Sequence, residues 1–175
     1  MKLGYPTITW GGVIGHPAGV TSIKDLYYVT NGDTKEAIRD IGAAGYTGTE
    51  VFDGNLAEFS GREKELTEVL VQSGVELVGV YTGANFIYDD ILDDELDKIE
   101  RAASMAKDFG ASRLAIGGGA IRASGPQDGD YLKVARGLDR AAEIATEYGL
   151  DSSFHPPLGN PFGESRGVSQ NYGRL

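Results

Sequence analysis

Two histidines are the side chains best suited to proton transfer near neutral pH, because imidazole titrates there. His155 follows a predicted strand, residues 150–154, and two prolines come directly after it. Its ring is therefore expected at a rigid strand exit, where it could ligate a metal or act as a general acid or base. A structural histidine is the alternative. His16 precedes Pro17 in a long glycine-containing segment and is the weaker candidate, a predicted substrate contact.

Glu50 and Trp10 are the next candidates. Glu50 lies late in a predicted strand, residues 46–52, beside the apolar Val51 and Phe52. A carboxylate at a strand end could accept hydrogen bonds from sugar hydroxyls or ligate a metal, and a salt-bridged structural glutamate is the alternative. Trp10 ends the first predicted strand, residues 4–10, where it could stack on a sugar ring or belong to the core.

The glycine run at residues 117–119 does not form a phosphate-binding motif. It lacks the third glycine of a dinucleotide fingerprint, and no Lys-Ser or Lys-Thr pair follows any glycine-rich loop. The run indicates a tight strand exit, with a dedicated phosphate cradle as the alternative. Gly118, in this run, and Thr82, at the end of another predicted strand, are predicted substrate contacts.

Glycines at 45, 74, 110 and 149 each end a predicted helix and precede a predicted strand. Capping boxes at Asp33 with Glu36 and at Ser60 with Glu63 begin the first two helices. The pattern predicts an α/β fold of about four β/α units plus a fifth strand, with parallel crossovers. A doubly wound sheet and a (β/α)₈ barrel both fit, and both bind ligands at the carboxyl ends of the strands.

Composition limits the classes of function. The chain has 175 residues, no cysteine and a net charge of −10. The charge argues against nucleic acid or an anionic membrane as a partner. No apolar stretch approaches a membrane span, so a soluble cytoplasmic protein is expected. We predict one domain over residues 1–160 and an irregular tail over residues 161–175.

Three stretches, GYTGTEVFD (45–53), RLAIGGGA (113–120) and FHPPLGN (154–160), resemble the xylose isomerase-like TIM-barrel superfamily. They are most similar to its sugar phosphate isomerase/epimerase and inosose dehydratase-like branch. The resemblance implies a partial TIM barrel that uses a divalent metal (Mn, Co, Mg or Zn) and transfers protons on a small sugar, keto-sugar or polyol. It implies that His155 is a metal ligand and catalytic residue, Glu50 is catalytic, and Trp10 lines the substrate cavity.

The chain also departs from that branch. Pro157 and Asn160 stand where relatives often have a second histidine and a threonine, and a full barrel takes about 250 residues. We therefore expect a truncation or frame shift near Pro157. Three functions stay open: an isomerase or epimerase, an inosose dehydratase-like lyase, and an inactive remnant that binds a polyol. An open barrel edge would favour homo-oligomers. A three-zinc DNA-repair endonuclease is disfavoured by the two histidines and the charge.

Overall fold

A computed structural model describes residues 2–10, 13–14, 28–30, 32–118, 122 and 124–156. Within these residues, five parallel strands form one sheet in the order β1-β4-β5-β6-β7, and β2 pairs antiparallel with β3. The strands are β1 Gly4–Pro6, β2 Val13–Ile14, β3 Val29–Thr30, β4 Gly48–Phe52, β5 Glu76–Ala84, β6 Arg113–Gly118 and β7 Asp151–His155.

Helices connect the strands of the large sheet. They are α1 Thr34–Ala43, α2 Asp53–Ala57, α3 Glu63–Ser73, α4 Leu92–Asp108 and α5 Asp130–Glu147, with 3₁₀ turns at Thr7–Trp10 and Asp89–Ile91. The sheet strands are added in chain order without a reversal. Successive right-handed crossovers in one direction put the helices on the same face, whereas a doubly wound sheet reverses its strand order. The barrel alternative is therefore confirmed, as part of a (β/α)₈ barrel.

The core lies between the sheet and the helices. Alternate strand residues point to opposite faces, and the fully buried Val80, Leu114 and Ile116 face the helices. They form one cluster with apolar helix residues such as Ile38 and Ile99. The opposite face, which would be the inside of a barrel, carries Glu50, Tyr81 and His155.

The helix ends follow the predicted signals in most places. Asp33 caps α1, because its Oδ1 accepts hydrogen bonds from the backbone N–H of Lys35 (2.8 Å) and Glu36 (2.9 Å). Each of the four predicted helix-ending glycines has a positive φ, from 65° at Gly74 to 87° at Gly45. A side chain with a Cβ adopts this backbone conformation only with strain, which explains glycine at these stops.

Two local predictions were wrong. The first strand ends at Pro6 rather than at Trp10, because residues 7–10 turn into a 3₁₀ helix that carries Trp10 towards α1. Ser60 does not cap a helix. The N-cap of α3 is Arg62, without a side-chain bond, and the Glu63 carboxylate accepts from the Gly61 N–H at 2.6 Å. The short helix α2, directly after β4, was not predicted.

Other sequence predictions fall on residues that the structure leaves undescribed. His16 and the tail over residues 161–175 lie outside the described ranges, so the proposed domain boundary at residue 160 stays a prediction. Among the helices in those ranges, none is both long and apolar enough to cross a membrane.

Candidate active site

A cavity of about 350 Å³ opens on the inner face of the sheet, towards the carboxyl ends of the strands. Parallel β/α proteins bind ligands at this end. The cavity brings together an acid, an imidazole and several aromatic rings from three strands, β4, β5 and β7, and from Tyr28 before β3. Its lining residues are Pro6, Ile8, Tyr28, Glu50, Val51, Phe52, Tyr81 and His155.

Glu50 reaches the cavity from the middle of β4. Its partner across the ladder is Gly79 of β5, and its Oε2 lies 3.3 Å from the position that a Cβ on Gly79 would occupy. The missing side chain at Gly79 therefore makes room for the carboxylate. Burial raises the pKa of Glu50 above its usual range, and the nearby charges of His155 and Arg113 offset part of that rise.

His155 is the last residue of β7 and lies opposite Gly117 of β6. Its ring meets the ring of Tyr81 edge-on, with centroids 5.7 Å apart and an interplanar angle of 79°. The side chain is exposed on the cavity side. Since its charge acts on the Glu50 carboxylate, the two predicted catalytic residues share one cavity.

Three aromatic rings form the wall between these two residues, and the sequence analysis did not single them out. Tyr81 packs edge-on against Phe52 at 5.1 Å and against Tyr28 at 5.4 Å. Glycines on the inner face leave space for them. A Cβ on Gly117 would lie 1.9 Å from the Tyr81 hydroxyl, and one on Gly83 would lie 2.8 Å from the Tyr28 ring. The alternation Gly79-Val80-Tyr81-Thr82-Gly83 is the sequence signal that could have identified this face.

Burial raises the pKa of Tyr81 to about 12, and the neighbouring Tyr28, Asp53 and Glu50 add to the rise. The phenol is therefore protonated throughout the neutral range. It offers an uncharged hydrogen-bond donor to the cavity.

Asp53 and Asn55, at the start of α2, hold the segment that carries Tyr28. The Asp53 Oδ1 accepts from the Tyr28 N–H (2.9 Å), and the Asn55 Oδ1 accepts from the Thr30 N–H (3.0 Å). Asp53 is fully buried, and burial raises its pKa to about 6 although hydrogen bonds from Thr82, Tyr28 and Gly54 oppose the rise.

Three other predicted residues that the structure describes, Thr82, Gly118 and Trp10, do not line the cavity. Thr82 points to the helical face, fully buried, and its hydroxyl donates to the Asp53 Oδ2 at 2.8 Å. Gly118 also faces the helices, since a Cβ there would lie 2.9 Å from the Phe154 ring. Trp10 donates from Nε1 to the Asp40 carboxylate at 3.0 Å, on the side of α1.

The described side chains do not form a complete metal site. Glu50 and His155 are the two cavity residues with donor atoms suited to a divalent metal. The described residues contain no group of three or more His, Asp or Glu side chains arranged to hold one. Catalytic zinc sites use three protein ligands, so Glu50 and His155 supply two of the donors of such a site and not a complete set.

These features define a class of protein. A parallel sheet in sequential order, with helices on one face and a ligand-sized cavity on the other, is part of a β/α barrel with its site inside. The model of the xylose isomerase-like TIM barrel family matches residues 38–165. The chain belongs to this family. No curated protein matches the sequence.

Three solved structures illustrate the likeness. A sugar phosphate isomerase/epimerase from Parabacteroides distasonis has a TM-score of 0.60 and 14% identity, over 89% of this chain and 51% of that one. The probable 3-DHS dehydratase AsbF from Bacillus anthracis has a TM-score of 0.62 and 15% identity, over 89% of this chain and 53% of that one. An IolI protein with a binding zinc atom has a TM-score of 0.62 and 12% identity, over 89% of this chain and 51% of that one. These identities show a shared fold, and the chain spans about half the length of each of these proteins.

Proposed function

We propose that the protein transfers a proton between carbon atoms of a small sugar, keto-sugar or polyol, as an isomerase or epimerase. The observation that carries the proposal is the pairing of Glu50 and His155 in one cavity at the carboxyl ends of parallel strands. Family membership and the likeness to a sugar phosphate isomerase/epimerase support it.

Glu50 is the proposed base. Its raised pKa brings the carboxylate closer to the pH at which it works, which favours proton transfer. It removes a proton from the carbon next to a carbonyl, while His155 donates a proton to the carbonyl oxygen and an enediol forms. Protonation of the neighbouring carbon by the Glu50 carboxyl, with transfer of the proton of the hydroxyl on the first carbon to His155, completes an isomerisation. In an epimerisation, water protonates the first carbon from the opposite side, the enol hydroxyl on the neighbouring carbon returns its proton to His155, and Glu50 releases its proton to solvent. Both reactions conserve all atoms of the substrate.

A dehydratase is the second candidate, favoured by the likeness to the probable dehydratase AsbF. The first step is the same abstraction of a proton by Glu50. A hydroxyl on the next carbon then leaves as water after taking a proton from His155, and a double bond forms between the two carbons. The products distinguish the two reactions, since only the dehydratase releases water.

Metal binding is proposed separately, with His155 as ligand and Glu50 as a second donor. A family relative contains zinc, and a divalent metal would polarise carbonyl and hydroxyl oxygens of the substrate. Glu50 and His155 are two donors and do not complete the coordination sphere of a metal. The proton transfers assigned above to these two residues are therefore written without a metal.

Exchange of substrate hydrogen with solvent deuterium tests the proposal. The protein is incubated in D₂O with free and phosphorylated ketoses and with inosose, and the loss of the C–H signal is followed by NMR. Wild-type protein is expected to exchange the hydrogen next to the carbonyl. Glu50→Gln keeps the size of the side chain but removes the base, so exchange should fall by at least about 100-fold.

Glu76→Gln is the matched control, because Glu76 begins the neighbouring strand at the opposite end of the sheet and is largely exposed. It should exchange like wild type. Exchange that persists in Glu50→Gln would reject Glu50 as the base. Binding of a sugar without any exchange would support the non-catalytic remnant instead.

A further inference from the structure

We propose that Tyr81 determines ligand specificity, by donating a hydrogen bond from its hydroxyl to an oxygen of a neutral ketose bound between Glu50 and His155. This inference rests on the proposed function, since it assigns a substrate contact and a substrate class to the same cavity. Neither the family match nor the related structures assign a role to this residue.

The first argument is the position of the hydroxyl. Tyr81 belongs to β5, yet its hydroxyl lies over Gly117 of β6, where a Cβ would be only 1.9 Å away. Gly117 is in turn the ladder partner of His155 on β7. The side chain therefore extends across one strand and places its polar end next to the imidazole, inside the cavity.

The second argument is that the ring is fixed while its hydroxyl is available. Phe52, Tyr28 and His155 contact the ring edge-on, with centroids 5.1–5.7 Å away. Such aromatic pairs restrict the ring to one orientation. Within the described residues, the Tyr81 hydroxyl has no hydrogen-bond partner, so a ligand in the cavity would supply one.

The third argument concerns charge. A tyrosine hydroxyl is ordinarily uncharged at neutral pH. An uncharged donor beside the Glu50 carboxylate suits hydroxyl and carbonyl oxygens, since a second negative group would be repelled by the carboxylate. This chemistry matches a ketose without phosphate.

Tyr81→Phe removes only the hydroxyl and is the main test. Binding of D-fructose is measured by isothermal titration calorimetry, with D-fructose 6-phosphate as the charged comparison. Tyr81→Phe is expected to weaken D-fructose binding about 5- to 10-fold, the usual effect of one lost neutral hydrogen bond. The midpoint of thermal unfolding should stay unchanged. Wild type should bind the free sugar more tightly than its phosphate.

Gly117→Ala is a second variant that keeps the hydroxyl but displaces it, so it should also weaken binding. Tyr148→Phe is the matched control. Its hydroxyl bonds to Glu100 on the outer surface, and its D-fructose affinity should equal that of wild type. The inference is overturned if Tyr81→Phe binds D-fructose like wild type, if wild type binds no D-fructose, or if the phosphate binds more tightly. Tyr81-dependent binding without C–H exchange would overturn the proposed reaction and leave this inference standing.

Discussion

Glu50 illustrates how a strand position sets the chemistry of a carboxyl group. Its side chain is partly buried against Gly79, which raises its pKa, whereas the charges of His155 and Arg113 lower it. The working form of a base is the ionised carboxylate. Activity is therefore expected to rise with pH through the raised pKa of Glu50, above the range of an exposed glutamate.

Arg113→Gln provides a direct test of this balance. Loss of the cation removes one of the two influences that lower the pKa of Glu50, so the acid limb of the pH profile of kcat/KM should move to higher pH. The profile of C–H exchange measures this shift. Arg136→Gln, an exposed residue of α5, should leave the acid limb in place. A shift to lower pH, or an equal shift in both variants, would contradict the expectation.

Asp53 affects stability rather than catalysis. Its pKa is about 6 in the folded protein and 3.8 in the reference state, so the folded state binds more protons between these values. Stability from this group is therefore lost as pH rises from about 4 through about 6. Asp53→Asn should remove this dependence, since an amide can accept the same backbone hydrogen bonds and does not ionise.

The measurement is the difference in free energy of unfolding between wild type and Asp53→Asn, from urea denaturation at pH 4 and pH 7. This difference should change by about 2 kcal/mol in favour of the variant between pH 4 and pH 7, since each pKa unit corresponds to about 1.4 kcal/mol and pH 4 already lies above the reference pKa of 3.8. Asp139→Asn, on the exposed side of α5, is the control and should follow wild type. If the free energy of unfolding changed with pH equally in wild type and Asp53→Asn, the raised pKa of Asp53 would be refuted.

At the scale of elements, the sequence predicted most helix ends and strand positions because their causes are local. Asp33 needs only the two N–H groups that follow it, and Gly74 needs only its own backbone conformation. The turn at Thr7–Trp10 depends on a contact between Trp10 and Asp40, thirty residues away. Such a contact leaves no periodic pattern, so a strand was predicted there.

The candidate site was predicted in part for the same reason. Strand ends are visible in a sequence, and Glu50 and His155 both line the cavity. Which face a residue occupies depends on the register and on the bulge between β4 and β5. Thr82 was therefore placed beside the ligand although it faces the helices. Tyr28 is held beside the cavity by bonds to α2, 25 residues further along the chain.

The contact between α1 and α3 gives a prediction that helix propensity alone would get wrong. Alanine is a better helix former than glycine by about 1 kcal/mol, so Gly42→Ala in α1 should stabilise an isolated helix. A Cβ at this position would lie 2.4 Å from the Ser73 carbonyl oxygen of α3. The two helices would have to separate, and we expect a loss of about 1–3 kcal/mol in chemical denaturation. A gain in stability would show that the helices do not approach so closely.

At the scale of the whole molecule, the chain spans about half the length of the three related structures described above, and five strands of the barrel sheet lie among the described residues. The activity, the metal and any association of copies through the open sheet edge are therefore proposals for this chain. We expect copies of the chain to form homo-oligomers, and analytical ultracentrifugation can check this prediction.

Metal binding can be measured without any assay of activity. A metal that binds only the folded protein raises the midpoint of thermal unfolding according to its concentration and affinity. Millimolar Mn²⁺, Co²⁺ or Zn²⁺ is expected to raise the midpoint of wild type and to have no effect on His155→Ala. The midpoint of thermal unfolding is also measured with Mg²⁺. An equal rise in wild type and His155→Ala would exclude His155 as a ligand.

The bonds from Asp53 and Asn55 to residues 28–30 have one more consequence. The amide hydrogens of Tyr28 and Thr30 are bonded to side chains that lie 25 residues further along the chain. They become accessible to solvent when this segment separates from α2, an opening that leaves the five-stranded sheet intact. Amide-hydrogen exchange at these two residues would therefore measure how often one wall of the cavity opens, independently of global unfolding.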